Sequence, residues 1–219
     1  MRGRALDMAR RPRGRHALGM PREQDDRVTA SPPDSAFLER AAEALFASRT
    51  VLVFGEVDTR LAQTVSAQLF ALAASSDAPI RVVLHSQGGH VEAGDTIHDV
   101  VRAIAPPVVM IGTGWVASAG ALIYAAADKE RRFALPNTRF LLHEPRGGVG
   151  GVESDVAIEA EQIVRMRERL CTIFARATGR DKERVAADTL RNFWMSATEA
   201  REYGLVHRVV ERLDELDAA

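Results

Sequence analysis

Three short, predominantly apolar runs, each followed by a stretch with helical spacing, constrain this chain more than any other feature: Thr50–Phe54, Ile80–Leu84 and Val108–Gly112. A strand that is apolar on both faces must be covered on both, which is the condition of a parallel sheet between helices. Parallel neighbours also need a long crossover. The spacing supplies one each time, with helices predicted over Leu61–Ala74 and Ala93–Ile104 and a small-residue helix over Gly114–Ala127. An amphipathic helix is expected before the first strand, from Phe37 to Ser48. Short strands follow at Arg132–Ala134 and Arg139–His143, then helices over Ser154–Thr178 and Asp181–Leu190. The fold class is therefore α/β with a parallel-rich sheet. Such sheets bind ligands beyond the carboxyl ends of their strands, so chemistry is to be sought at the loops around Ser86 and Thr113.

The composition narrows the function classes. With 219 residues, 46% of them hydrophobic but only 5% aromatic, the chain suits a single core filled by Ala, Val, Leu and Ile. The balance of 29 basic against 30 acidic residues leaves no electrostatic footprint for nucleic acid or an anionic membrane. Cys171 is the sole cysteine, so no internal disulfide can form, and nothing has zinc-ligand spacing. Neither metal nor cofactor is expected. No apolar run approaches the ~18 residues of a membrane span and no secretory signal is evident, so a cytoplasmic protein is expected. Residues 1–35, rich in Arg and Pro, read as a disordered arm. Its arginines have some likeness to a transit peptide, although Met8 or Met20 could equally be the true start.

Three segments carry chemistry. In Gly114 to Ala121 a strand passes into a helix at or beside Ser118, where first-turn N–H groups and the helix dipole could stabilise an oxyanion. An ordinary N-cap serine would look the same. In Ser86-Gln87-Gly88-Gly89 two glycines follow a buried strand, as an anion-binding backbone or a tight turn would require. In Leu135 to Pro145 a strand ends on His143, a candidate general base or a structural histidine, with His16, His85, His90, His98 and His207 as competitors.

Taken together and in this order, the three segments resemble the proteolytic subunit of the ATP-dependent Clp protease. Its S-x-G-G turn is matched at Ser86–Gly89, its G-x-x-A-S-x-G-A turn at Gly114–Ala121, and its L-P-N-x-R-x-x-x-H-x-P strand at Leu135–Pro145. Further matches are Gly147-Gly148 and Met195–Val206, so the likeness runs from about Thr50 to Val210. The resemblance implies a crotonase-like fold of stacked, parallel-rich sheets flanked by helices, in a catalytic domain of residues 36–214 with a protruding strand-helix handle at about 146–178. Residues 215–219 would be a tail. It further implies Ser118 as nucleophile, His143 as general base, and the N–H groups of Gly89 and Ala119 as the oxyanion hole.

One departure bears directly on that chemistry. The family's third triad member is the aspartate of an R-D-x-[FW]-[ML]-[ST]-A segment, and here the segment reads Arg191-Asn192-Phe193-Trp194-Met195-Ser196-Ala197. Asn192 can accept the Nδ1–H of His143 but offers no charge to an imidazolium, so reduced or conditional activity is expected. Asp188, one helical turn earlier, could compensate if the helix continued that far. The resemblance also implies seven-membered rings stacked in pairs, a Clp-type ATPase unfoldase and possibly a paralogous proteolytic subunit as partners, and unfolded proteins and peptides as substrates. The N-terminal arm does not match the family's docking segment, and Leu190 stands where an acidic ring-contact residue is common beside Arg191. Two other readings are open: a catalytically weak structural subunit of a mixed ring, and an acyl-coenzyme A hydratase or isomerase, which shares this fold.

Overall fold

The computed structural model describes residues 35–145, 150 and 152–217. Most of the expected arm, residues 1–34, and most of the glycine-rich stretch at 147–151 lie outside the described residues. The predicted alternation holds: β1 (Thr50–Val57), α2 (Thr59–Ser75), β2 (Ile80–Gly89), α3 (Val91–Ala103) and β3 (Val108–Ala117) follow one another, after an initial helix α1 (Ser35–Ala47). β1, β2 and β3 pair in parallel in that order. Their alternate residues Val51, Val53, Ile80, Val82, Leu84 and Met110 form the centre of the core with Val65, Leu69, Leu72 and Ile97 from α2 and α3.

The sheet divides at β3. The first half of β3 pairs with β4 (Arg132–Ala134), which continues to β7 (Arg208–Val209), and its second half pairs with β5 (Arg139–Leu142). β5 in turn pairs antiparallel with β6 (Phe193–Ser196). Between β3 and β4 lies α4 (Ala119–Tyr124). α5 (Glu153–Thr178) and α6 (Lys182–Thr189) separate β5 from β6, and α7 (Ala197–Tyr203) precedes β7. α7 starts at a complete capping box, Ser196 with Glu199.

Two expectations change. β2 and β3 run five residues beyond their predicted ends, because bulges at Gly55 and between Leu84 and Ser86 let the ladder absorb residues that break the regular register. The predicted helix over Gly114–Ala127 shrinks to α4 for the same reason. Within the stretch that includes the expected tail, Leu213–Asp217 form a 3-10 turn, and Leu216 is buried beside Ile111, Phe133 and Val210. α1 shows the opposite tendency. Amphipathic though it is, it buries none of its residues, and Phe37, Leu38 and Phe46 remain about half exposed.

α4 is pinned at its carboxyl end by Tyr124, fully buried, whose hydroxyl donates to the Phe133 carbonyl at 2.8 Å. Burial pushes the phenol's pKa well above its ordinary value, so it stays a neutral donor. Tyr124→Phe should remove this bond without leaving a void and lower stability by about 1 kcal/mol, read as a shift in the denaturation midpoint.

Candidate active site

Ser118 stands between β3 and α4 with φ 55° and ψ −120°, a conformation costly for a residue with a side chain. The surrounding bonds hold it there. Its N–H donates to the Leu141 carbonyl at 2.9 Å, prolonging the β3–β5 ladder, while its carbonyl accepts from the Leu122 N–H at 3.1 Å, opening α4. Its hydroxyl makes no capping bond to the helix, so the N-cap alternative, in which Oγ serves the helix, does not describe this serine. The chain turns sharply, and the side chain is presented at the crest of the turn.

Glycines make that turn fit. A Cβ on Gly88 would stand 2.6 Å from the Ser118 Cβ and 2.8 Å from the Ala117 carbonyl oxygen, and 3.1 Å from the Ala119 nitrogen. Gly88 therefore lies directly against the Ser118–Ala119 turn, while the neighbouring Gly89 packs against Val57 of β1. Ala119 is the first residue of α4, and a first-turn N–H has no acceptor within its own helix. The glycine pair is not a free turn, because Ser86 locks it. Its buried Oγ donates to the Gly55 carbonyl at 2.5 Å and accepts the Gly88 N–H at 3.0 Å. This bracing role for Ser86 is not apparent from its position in the sequence motif. His85, beside it on β2, does similar work toward β3, its Nδ1 accepting the Trp115 N–H at 3.0 Å where Gly114 bends that strand.

Among the described histidines, only His143 lines the cleft that holds Ser118. It directly follows β5, and its Nδ1 is buried. His98 instead pairs with Asp99 at 3.0 Å, and His207 packs edge-on against Phe133. Glu144, next in sequence, fixes the histidine's neighbourhood twice: its N–H donates to the Thr189 carbonyl at 3.0 Å, and its carboxylate meets Arg167 of α5 at 2.7 Å.

β5 and β6 pair Arg139 with Ser196 through Leu142 with Phe193, so that His143 directly follows β5 and Asn192 directly precedes β6 at the same end of the ladder. Asp188 does not take up the position. α6 ends at Thr189, and the Asp188 carboxylate accepts from Arg184 Nε at 2.9 Å and from the Tyr203 hydroxyl at 3.0 Å. Burial together with that carboxylate raises the Tyr203 pKa, so the phenol remains a donor and Asp188 remains engaged.

The rest of the cleft is apolar. Val91, Leu122, Leu142, Pro145, Leu170 and Phe174 complete its lining, a surface suited to an uncharged side chain beside the serine. No group of His, Cys, Asp or Glu with the makings of a metal site occurs among the described residues, and no described helix is long and apolar enough to cross a membrane.

Comparison with known proteins gives a consistent result. The Clp protease family matches residues 35–213. The ATP-dependent Clp protease proteolytic subunit 3 of Rhizobium etli is 56% identical over 189 residues, covering 86% of this chain and 95% of the relative. The proteolytic subunit 2 of Pseudomonas aeruginosa is 57% identical over 162 residues, 74% of this chain and 81% of its own length. Among solved structures, ClpP1 from Listeria monocytogenes superposes with a TM-score of 0.73 at 50% identity, covering 80% of this chain and 99% of that one. With a match that extends from the first helix into the last turn, and about half of the aligned residues identical, the chain belongs to the Clp protease family of peptidases.

Proposed function

We propose that this chain is a serine endopeptidase subunit of a Clp-type chambered protease, acting on unfolded proteins and peptides. The observation that carries the reading is the convergence of a strained, helix-opening Ser118 and a strand-end His143 on one cleft, with Asn192 directly preceding β6 at the same end of the β5–β6 ladder. In this reading the Ser118 hydroxyl attacks the peptide carbonyl carbon while its proton passes to His143. Negative charge collects on the former carbonyl oxygen, facing the N–H groups of Gly89 and Ala119. Collapse breaks the C–N bond, His143 returns the proton to the departing amine, and water then releases the acyl group by the same route. Asn192 would orient the imidazole through its carbonyl oxygen without stabilising the imidazolium, which makes the enzyme slow or dependent on context.

Assembly follows from surfaces the protomer leaves uncovered. Phe37, Leu38 and Phe46 on α1, with Leu52 and Phe54 on β1, make a large exposed apolar area of the kind that marks association. Seven-membered rings, stacked in pairs, would bury it. A paralogous proteolytic subunit and a Clp-type ATPase unfoldase are the expected partners. Asn192 also favours a second reading, in which the chain is a catalytically weak structural subunit of a mixed ring.

The test is hydrolysis of blocked peptides by the assembled protein, alone and mixed with a paralogue whose own nucleophilic serine has been replaced by alanine. Peptides with an apolar residue before the scissile bond should be cleaved about tenfold or more faster than those with an acidic one. Failure to cleave either, with or without the paralogue, would overturn the enzymatic reading in favour of the structural one. Gly88→Ala offers a finer probe. Its Cβ would displace the Ser118 turn, and a displacement of that size should cost about 10²-fold in turnover while circular dichroism shows the fold retained.

A further inference from the structure

Arg132, the first residue of β4, is 1% exposed. One guanidinium nitrogen donates to the Ala177 carbonyl at 2.5 Å, near the end of α5, while its buried Nε and its other terminal nitrogen have no partner among the described residues. An arginine sealed from water with two of its nitrogens unmatched is costly, because each lost its hydration and gained nothing in exchange. Among the described residues no carboxylate bonds to it. Burial pulls its pKa down from the ordinary arginine value, against the lesser opposing influence of Tyr124, Glu130 and Asp128.

The surroundings of Arg132 are themselves cationic. It lines a cleft of about 330 Å³ between the second half of α3, the turn after α4 and the end of α5. Arg102, Lys129 and Arg176 line it too, with His98 at the margin, against a single acid, Asp128, which Arg102 already contacts at 3.3 Å. Four permanent cations around one cleft repel one another unless something negative enters. The volume falls within the roughly 300–1,000 Å³ span of small-molecule sites. Planar guanidinium forks suit tetrahedral oxyanions, each able to give two parallel N–H bonds.

We propose that this cleft binds a phosphate-class oxyanion, free or as the terminal group of a small ester, held by the exposed Arg102, Lys129 and Arg176 at its rim and drawn in by the charge of Arg132 beneath its floor. The site is independent of Ser118, which lies at the opposite end of α4.

The assembled full-length protein is titrated calorimetrically with inorganic phosphate and, in parallel, with a small phosphate monoester, against chloride at matched ionic strength. Saturable binding of either is expected, and a tighter monoester would identify the esterified form as the natural source. In Arg102→Ala/Arg176→Ala the dissociation constant should rise at least tenfold while peptide hydrolysis in phosphate-free buffer is unchanged. These rim residues are exposed or half-exposed, so the variant avoids the folding risk carried by Arg132 itself. Phosphate heats that match chloride, or saturable binding that survives in the double variant, would overturn the proposal.

Discussion

Ser118→Ala is expected to lower hydrolysis of a short fluorogenic peptide by about 10³-fold or more, with the assembly and fold unchanged. The size of the effect follows from the role: removing the nucleophile leaves only whatever the oxyanion donors and substrate positioning contribute. The fold should survive because the turn is held by backbone bonds, Ser118 N–H to Leu141 and Leu122 N–H to Ser118, and the hydroxyl caps nothing. Alanine inherits the same positive φ, so the strain of the turn is neither added to nor relieved. Ser118→Gly makes a useful companion. It should be equally inactive, yet more stable than the alanine variant by about 1 kcal/mol, since only glycine adopts this backbone without penalty.

Asn192→Asp is expected to act in the other direction, raising turnover by about 10- to 10³-fold. The converse replacement in a trypsin-type triad costs about 10⁴, and cysteine peptidases that use asparagine show that the residue can orient an imidazole without charging it. Position 192 adjoins the β6 end that pairs with the β5 end before His143, and in the proposed triad a carboxylate there would both fix the Nδ1 tautomer and stabilise the imidazolium. Asp188 offers no substitute charge, being held by Arg184 and Tyr203. A wild type already as fast as Asn192→Asp would mean that the asparagine is no handicap and that the reduced-activity reading is wrong.

The parts of the fold that were legible in sequence are those set by hydrophobic pattern. β1 to β3 and the helices between them follow from predominantly apolar runs and helical spacing, which no tertiary contact needs to complete. The strand extensions were not legible, because Ser86–Gly89 and Gly114–Ala117 carry turn-like residues. What keeps them in the sheet is long-range: the Ser86 hydroxyl reaching Gly55, and His85 receiving the Trp115 N–H. Leu216 looked like tail for want of local pattern, and is buried only because β4 and β7 bring Phe133 and Val210 beside it. α1 was legible as a helix, yet the sequence did not reveal that its apolar side would lie outside the protomer's own core.

At the site, Ser118, His143 and the glycine pair were each ambiguous alone and acquired meaning as a set. The structure adds the antiparallel β5–β6 pairing, which brings the ends of the two strands that adjoin His143 and Asn192 together, and the closeness of Gly88 to Ser118, neither of which sequence spacing contains. Membership in a peptidase family decides against the hydratase alternative.

The claim on which the account turns is that Ser118 is an activated nucleophile. Intact-mass measurement of the assembled protein after treatment with a fluorophosphonate tests it directly, since attack by an activated serine oxygen expels fluoride and leaves a covalent phosphonyl group. The account predicts one adduct per chain, on the peptide containing Ser118, formed slowly in wild type, faster in Asn192→Asp and not at all in Ser118→Ala. An assembled wild-type protein that stays unmodified, or an adduct that persists in Ser118→Ala, would contradict it.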